Sequence, residues 1–296
     1  MRVILLGTGA MACLFAARLS GVAEVTLLGT WSEAIQAITK QGIIFSDAEN
    51  TRTIRVRAEH LGASLPKADL ILVLVKSWQT ERTEEFIPRY LNREGVAVSL
   101  QNGLGNIELL GNRAYAGTTS EGATLLAPGH VKSGGSGLTH VVAPSWVVSF
   151  LNKAGFECLG CSRAEAEGLL WGKLAISCGI NAITALLRVK NGELLKWPPA
   201  EEVMAKASLE CEAVAKAKGI RLPFEDTAVR VREVADKTAG NSSSMLQDIL
   251  RGAPTECDAI NGAVAREGER LGVATPVNHT LWQLIRAVVH QNGRKA

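Results

Sequence analysis

Two groups of residues have types and spacings that can do chemistry. The first is Gly7-Thr8-Gly9-Ala10-Met11-Ala12, a G-x-G-x-x-A turn between the apolar run at residues 2–6 and an alanine-rich stretch reaching Leu19. Glycine pairs often serve only as turns, so the motif takes its meaning from standing between a strand and a helix. In that setting Gly7 permits the tight turn and Gly9 lets a pyrophosphate approach the backbone. Ala12 is small enough for the helix to pack on the strand. The helix N-terminus offers N–H groups with no partner inside the helix, which suits phosphates. The chemistry expected of residues 7–12 is dinucleotide binding.

The second group is Lys173, Ser177 and Asn181, at i, i+4 and i+8 of an apolar stretch without proline from 163 to 187. On a helix these put an ammonium, a hydroxyl and an amide on one face. A polar stripe on an otherwise apolar helix needs either solvent or a site. A lone lysine is more often a solvated surface residue. Beside a nicotinamide, a positioned cation has a use, because hydride attack on a ketone leaves negative charge on oxygen.

The elements that must position these groups follow from periodicity. A second apolar run at 25–28 reads as a strand, and further strand candidates are 54–56, 70–75 and 96–100, with helical patterns between several of them. Continuous Ile/Leu/Val runs suit parallel strands covered on both faces. Residues 132–139 read as a glycine-rich turn region between short strands. Beyond about 163 the patterns are helical, at 163–187, 200–218, 225–238, 255–271 and 278–291. Thr255-Glu256-Cys257-Asp258, after Pro254, resembles a capping-box helix start, with Glu256 as a first-turn carboxylate. Alternating α/β followed by helices predicts an N-terminal Rossmann-like doubly wound domain over 1–165 that binds a dinucleotide. A C-terminal all-helical domain follows over 166–296.

Composition narrows the classes. Lys and Arg number 32 against 29 Asp and Glu, a net charge of +3 with no basic run, which gives nucleic acid no obvious footing. The apolar run after Arg2 is too short for a signal-peptide core, and no uninterrupted apolar stretch approaches a membrane span. The expected location is the cytoplasm. There Cys13, Cys158, Cys161, Cys178, Cys211 and Cys257 are expected to stay reduced. Cys158 and Cys161 have C-x-x-C spacing, but no second pair completes a zinc site, and the five histidines show no metal spacing. No metal is expected.

Several motifs line up in order: Val75-Lys76-Ser77-Trp78-Gln79-Thr80, Gln101-Asn102-Gly103-Leu104-Gly105, Trp171-Gly172-Lys173-Leu174 with Asn181, Asn191-Gly192-Glu193-Leu194, Ser243-Ser244-Met245-Leu246-Gln247-Asp248, and Thr255-Glu256-Cys257-Asp258-Ala259-Ile260-Asn261-Gly262. With the glycine loop, this set resembles the ketopantoate reductase (2-dehydropantoate 2-reductase) family over nearly the whole chain. The resemblance implies reduction of 2-dehydropantoate to pantoate by NADPH, with Lys173 as the general acid. It puts Asn102 near nicotinamide and substrate. Ser177, Asn181, Asn191, Ser244 and Glu256 fall where the family holds substrate or closes the site, with Asn102 and Glu256 also counted toward the cofactor. Lys76 matches a family lysine near the adenosine phosphate.

Two positions depart from the family. Ser177 stands where an Asn is usual, which bears on substrate affinity or identity. The arginine usual after the second strand is missing from Leu28-Gly29-Thr30-Trp31-Ser32. That segment also lacks the carboxylate that reads an NAD ribose, so NADP(H) is expected with NAD(H) as the alternative. The rival readings are a reductase of another branched 2-oxo acid and a non-catalytic nicotinamide-sensing protein. Mere binding needs only the glycine loop, so Lys173, Asn102 and Glu256 together favour catalysis. The sequence leaves the oligomeric state open, with a homodimer as the assembly common among such two-domain reductases.

Overall fold

The computed structural model describes residues 1–293. The chain divides into two compact units. One holds Met1–Gln101 and Asn106–Ala166; the other runs from Glu167 onward and includes Asn102–Gly105.

The strands of the first unit are β1 (Arg2–Leu6), β2 (Glu24–Gly29), β3 (Ile43–Ser46), β4 (Thr51–Ile54), β5 (Arg57–His60), β6 (Ala68–Val73), β7 (Leu91–Ser99), β8 (Ala114–Thr119), β9 (Ala123–Ala127), β10 (His130–Ser133), β11 (Leu138–Val141) and β12 (Glu157–Gly160). Its helices are α1 (Ala10–Leu19), α2 (Ser32–Gln41), the short α3 (Thr80–Glu84), α4 (Ile87–Tyr90) and α5 (Asn106–Leu110), and α6 (Ser145–Lys153). An eight-stranded sheet has the order β12-β11-β8-β7-β6-β1-β2-β5. It is parallel from β5 through β8, and β11 runs antiparallel to β8. The chain winds outward from β1 through β2 to β5 and returns to β6, so the order reverses between β1 and β6. In open α/β sheets, ligands lie at the carboxyl end of such a switch point.

Burial on both faces explains why β1 is apolar from Val3 and β6 from Leu70. Val3, Leu5, Leu70 and Leu72 join the core on one face, and Ile4, Leu6, Ile71 and Val73 join the core on the other. The winding is doubly covered, but the two covers differ. Tyr90, Ile87 and Leu110 from α4 and α5 pack on one face. On the other, α1 is itself covered by a four-stranded sheet of order β4-β3-β10-β9, which contributes Ile43, Phe45 and Val131. Ile54-Arg55-Val56, expected as a strand, is instead a corner: β4 ends at Ile54 and β5 starts at Arg57, and the chain changes sheets between them.

The second unit is helical: most of α7 (Arg163–Leu187), then α8 (Pro198–Ala217), α9 (Thr227–Lys237), α10 (Ser244–Leu250), α11 (Asn261–Leu271) and α12 (Pro276–Gly293). Asp226 caps α9 by accepting from the Val229 N–H at 2.8 Å, and Pro198 and Pro199 stand in the first turn of α8. Among the described residues, α7 alone is long and apolar enough to cross a membrane, but 61% of its apolar window is buried within the protein, as in a core helix. It packs closely on α8, since a Cβ at Gly179 would stand 2.8 Å from the Met204 carbonyl.

The helix start expected at Thr255 does not form. Thr255 is irregular, Glu256 lies at a bend, residues 257–260 form turns, and α11 begins at Asn261. A long-range contact stands in the way: the Ala259 carbonyl accepts from the Leu104 N–H at 3.0 Å, and Ile260 sits at φ −106°, ψ −99°, outside the helical region. Glu256 is therefore not a first-turn carboxylate and does not pair with the dipole of α11.

Candidate active site

The glycine loop lies where β1 hands over to α1. Gly7 donates its N–H to the Leu28 carbonyl at 2.7 Å and adopts φ +132°, and a Cβ there would meet the Leu74 backbone at 3.1 Å. Only glycine meets both demands. A Cβ on Gly9 would meet nothing within 4 Å, so space opens on that side of the turn. Gly9 is also the N-cap of α1 and has no side-chain cap, leaving first-turn N–H groups to a ligand. Thr8 is buried against Gly29, and Ala12 is fully buried in the core. Ala10 and Met11 are half-buried in the first turn of α1. An open approach and an uncapped helix end fit a dinucleotide pyrophosphate.

Beyond β2, Thr30 is exposed, Trp31 is the N-cap of α2, and the Gln79 amide reaches the Thr30 hydroxyl at 3.5 Å. Lys76 is half-buried and leads into the single 3-10 turn Ser77–Gln79 after β6.

The second unit gathers Asn102, Glu256 and Lys173, far apart in sequence. Asn102 Nδ2 donates to Glu256 Oε2 at 3.2 Å, and Glu256 is 4% exposed. Lys173 keeps part of its side chain accessible, yet desolvation pushes its ammonium down to about 8, against an opposing upward pull from the Glu256 charge. Gly103 explains how this cluster closes: it has φ +80°, and a Cβ there would stand 2.5 Å from the Ala259 carbonyl oxygen. Ser177 lies one turn beyond Lys173 on α7 and is half-buried, as is Asn181 a turn further.

The remaining expected residues form two smaller groups. Ser243, not Ser244, caps α10: its hydroxyl oxygen accepts from the Leu246 N–H at 3.1 Å and from the Thr184 hydroxyl at 2.8 Å. Ser244 is the first residue of α10, half-buried, and the Asn181 carbonyl accepts from Thr184 at 3.0 Å. Asn191 is buried, donating Nδ2 to the Thr238 hydroxyl at 2.9 Å while its Oδ1 has no protein partner. Its amino group is thus engaged in fixing α9, and only its oxygen faces an unmet demand. Sequence reading missed Thr80 and Asn106, which join Gln101 in a buried polar network between the β6 and β7 loops. The signal was faint: a Thr and an Asn within the loop motifs or just beyond them.

Among the described residues no group of three or more His, Cys, Asp and Glu side chains could hold a metal, and all six cysteines are free thiols.

A parallel sheet with a glycine turn at its first strand, followed by a helical unit carrying a desolvated lysine beside a carboxylate, defines a two-unit nicotinamide-dependent reductase. Residues 3–145 match the family model of ketopantoate reductase PanE/ApbA, and residues 165–289 match its C-terminal counterpart. The chain belongs to the ketopantoate reductase family. It is 34% identical to the 2-dehydropantoate 2-reductase of Halobacterium salinarum, over 97% of this chain and 98% of the relative. Among solved structures, it resembles a PanE/ApbA family ketopantoate reductase from Ralstonia eutropha, with TM-score 0.90 and 29% identity over 99% of this chain and 100% of that one. D-mandelate dehydrogenase, solved with NADH and anilino(oxo)acetate, gives TM-score 0.92 at 26% identity, again over 99% and 100%.

Proposed function

We propose that this protein catalyses the NADPH-dependent reduction of 2-dehydropantoate to pantoate in the cytoplasm. The observation that carries the reading is the convergence of Lys173, Glu256 and Asn102 in one unit. Residues 1–165 serve the dinucleotide, through Gly7–Ala12 and Lys76, and residues 166–296 serve the substrate. When bound, NADPH supplies the hydride. Lys173, as ammonium, donates its proton to the carbonyl oxygen that gains charge. Asn102 orients the reacting groups and holds Glu256, whose carboxylate accepts from the substrate 4-hydroxyl. Ser177, Asn181, Asn191 and Ser244 complete the substrate contacts, with Asn191 accepting through Oδ1. Loss of NADPH absorbance with ketopantoate as acceptor tests this directly; absence of turnover ends the reading.

NADPH is expected to give a higher kcat/KM than NADH. The β2 end carries no carboxylate to repel a 2′-phosphate, and Lys76 supplies positive charge on the phosphate side. Steady-state rates with both cofactors decide it, and equality or an NADH advantage removes this preference.

A second reading is favoured by Ser177 and by the likeness to D-mandelate dehydrogenase: reduction of a different 2-oxo acid. An Asn at 177 reaches further than Ser, and one hydrogen bond to a charged group is worth roughly 1.5–3 kcal/mol, part of which water recovers. Ser177→Asn is therefore expected to lower the KM for ketopantoate by up to about tenfold. If the KM is unchanged or higher, Ser177 is suited to another acid, and a panel of 2-oxo acids identifies it.

A further inference from the structure

The loops after β6 and β7 leave neighbouring parallel strands and carry Lys76 and Asn102. Four buried polar residues, Ser99, Gln101, Thr80 and Asn106, form a directed chain through these loops. The Ser99 hydroxyl donates to Gln101 Oε1 at 2.9 Å. Gln101 Nε2 donates to the Val75 carbonyl at 3.0 Å and to Thr80 Oγ1 at 2.7 Å. Thr80 spends its own proton on Asn106 Oδ1 at 2.8 Å. Each group fixes the next, so the Gln101 amide has one satisfied orientation. Val75 directly precedes Lys76, and Gln101 directly precedes Asn102. Gln101 and Asn106, the residues that flank Asn102–Gly105, both bond to Thr80.

An aliphatic residue would fill the Gln101 site without the cost of burying an amide. A fully satisfied polar network instead specifies a single arrangement of the segments it joins. We propose that Gln101, acting through Thr80, is a positioning residue for dinucleotide binding. It locks the Lys76 loop to the end of β7, so that Lys76 is held in one place for the dinucleotide. This rests on the assignment of Lys76 as a cofactor contact.

The test titrates NADPH into the full-length protein and follows quenching of its tryptophan fluorescence, well below each variant's Tm. Gln101→Met and Thr80→Val are each expected to raise the Kd roughly tenfold, the scale of one lost buried hydrogen bond. Thr80→Ser keeps the hydroxyl and should bind like the wild type. In a Lys76→Ala background, Gln101→Met should add less than about threefold, because residues acting through one contact are not additive. Two results overturn the proposal while leaving the site assignment intact: an unchanged Kd in Gln101→Met and Thr80→Val, or full additivity with Lys76→Ala. Should Gln101→Met not fold, the Thr80→Val and Thr80→Ser pair decides between the same outcomes. Wild-type protein that does not bind NADPH ends the site assignment itself, and the proposal with it.

Discussion

Lys173→Ala is expected to lower kcat for ketone reduction by at least about a hundredfold, the scale of a lost general acid. NADPH affinity should change little, because the glycine loop and Lys76 belong to the other unit. The pH profile supplies a second reading of the same residue. Burial pushes the ammonium down to about 8, and the charge of Glu256 partly offsets that. Reduction consumes the protonated form, so its rate should hold below about 8 and fall as pH rises through it. Oxidation of the product alcohol needs the neutral amine and should rise through the same range. Retained activity in the Ala variant, or profiles of the two directions that run in parallel, would remove Lys173 from the proton-transfer step.

Glu256→Gln is expected to raise the KM for ketopantoate by roughly tenfold to a hundredfold, since hydrogen bonds to charged groups are worth about 1.5–3 kcal/mol. Glutamine keeps the shape of the side chain and an oxygen for Asn102, so folding should survive. A 2-oxo acid with no 4-hydroxyl should be nearly indifferent to the change, because it never used the carboxylate. The same substitution removes the charge that raises Lys173, so the inflection of the reduction profile should move below about 8. An equal loss on both substrates, with the inflection shifted, would make Glu256 a partner of Lys173 alone. An inflection that stays in place would deny that the two groups interact.

The parts of this molecule legible in sequence are those fixed by local periodicity. β1 is apolar at every position after Arg2 because both its faces are buried, and the glycine turn that follows is demanded by φ and by close backbone. The long helix carrying Lys173, Ser177 and Asn181 is likewise a matter of spacing and the absence of proline. What escaped notice depends on distant partners. Ile54-Arg55-Val56 looks like a strand until the chain is seen to pass from one sheet to the other there. Thr255-Glu256 has the residues of a helix start, but the Ala259 carbonyl is taken by Leu104, far away in the chain. Glu256 stands out in sequence through the family motif, while its hydrogen bond to Asn102 is long-range and cannot be read from spacing. Thr80 and Asn106 look like ordinary loop polars, because their bonds cross between loops rather than along them.

Asn102–Gly105 is encoded within the N-terminal half yet folds with the C-terminal one. The linear boundary near residue 165 is therefore the wrong seam for exchanging parts among relatives. A chimera cut there would bring a foreign tetrapeptide against the native turn at 256–260. The fit at that point leaves little tolerance: Gly103 has φ +80°, with the Ala259 carbonyl oxygen 2.5 Å from where a Cβ would be. Recombinants that preserve both glycine and turn should assemble, and those that alter one without the other should lose the Asn102–Glu256 bond before they lose either core. The unit of inheritance for the substrate half is thus discontinuous, a short cassette upstream travelling with the helices.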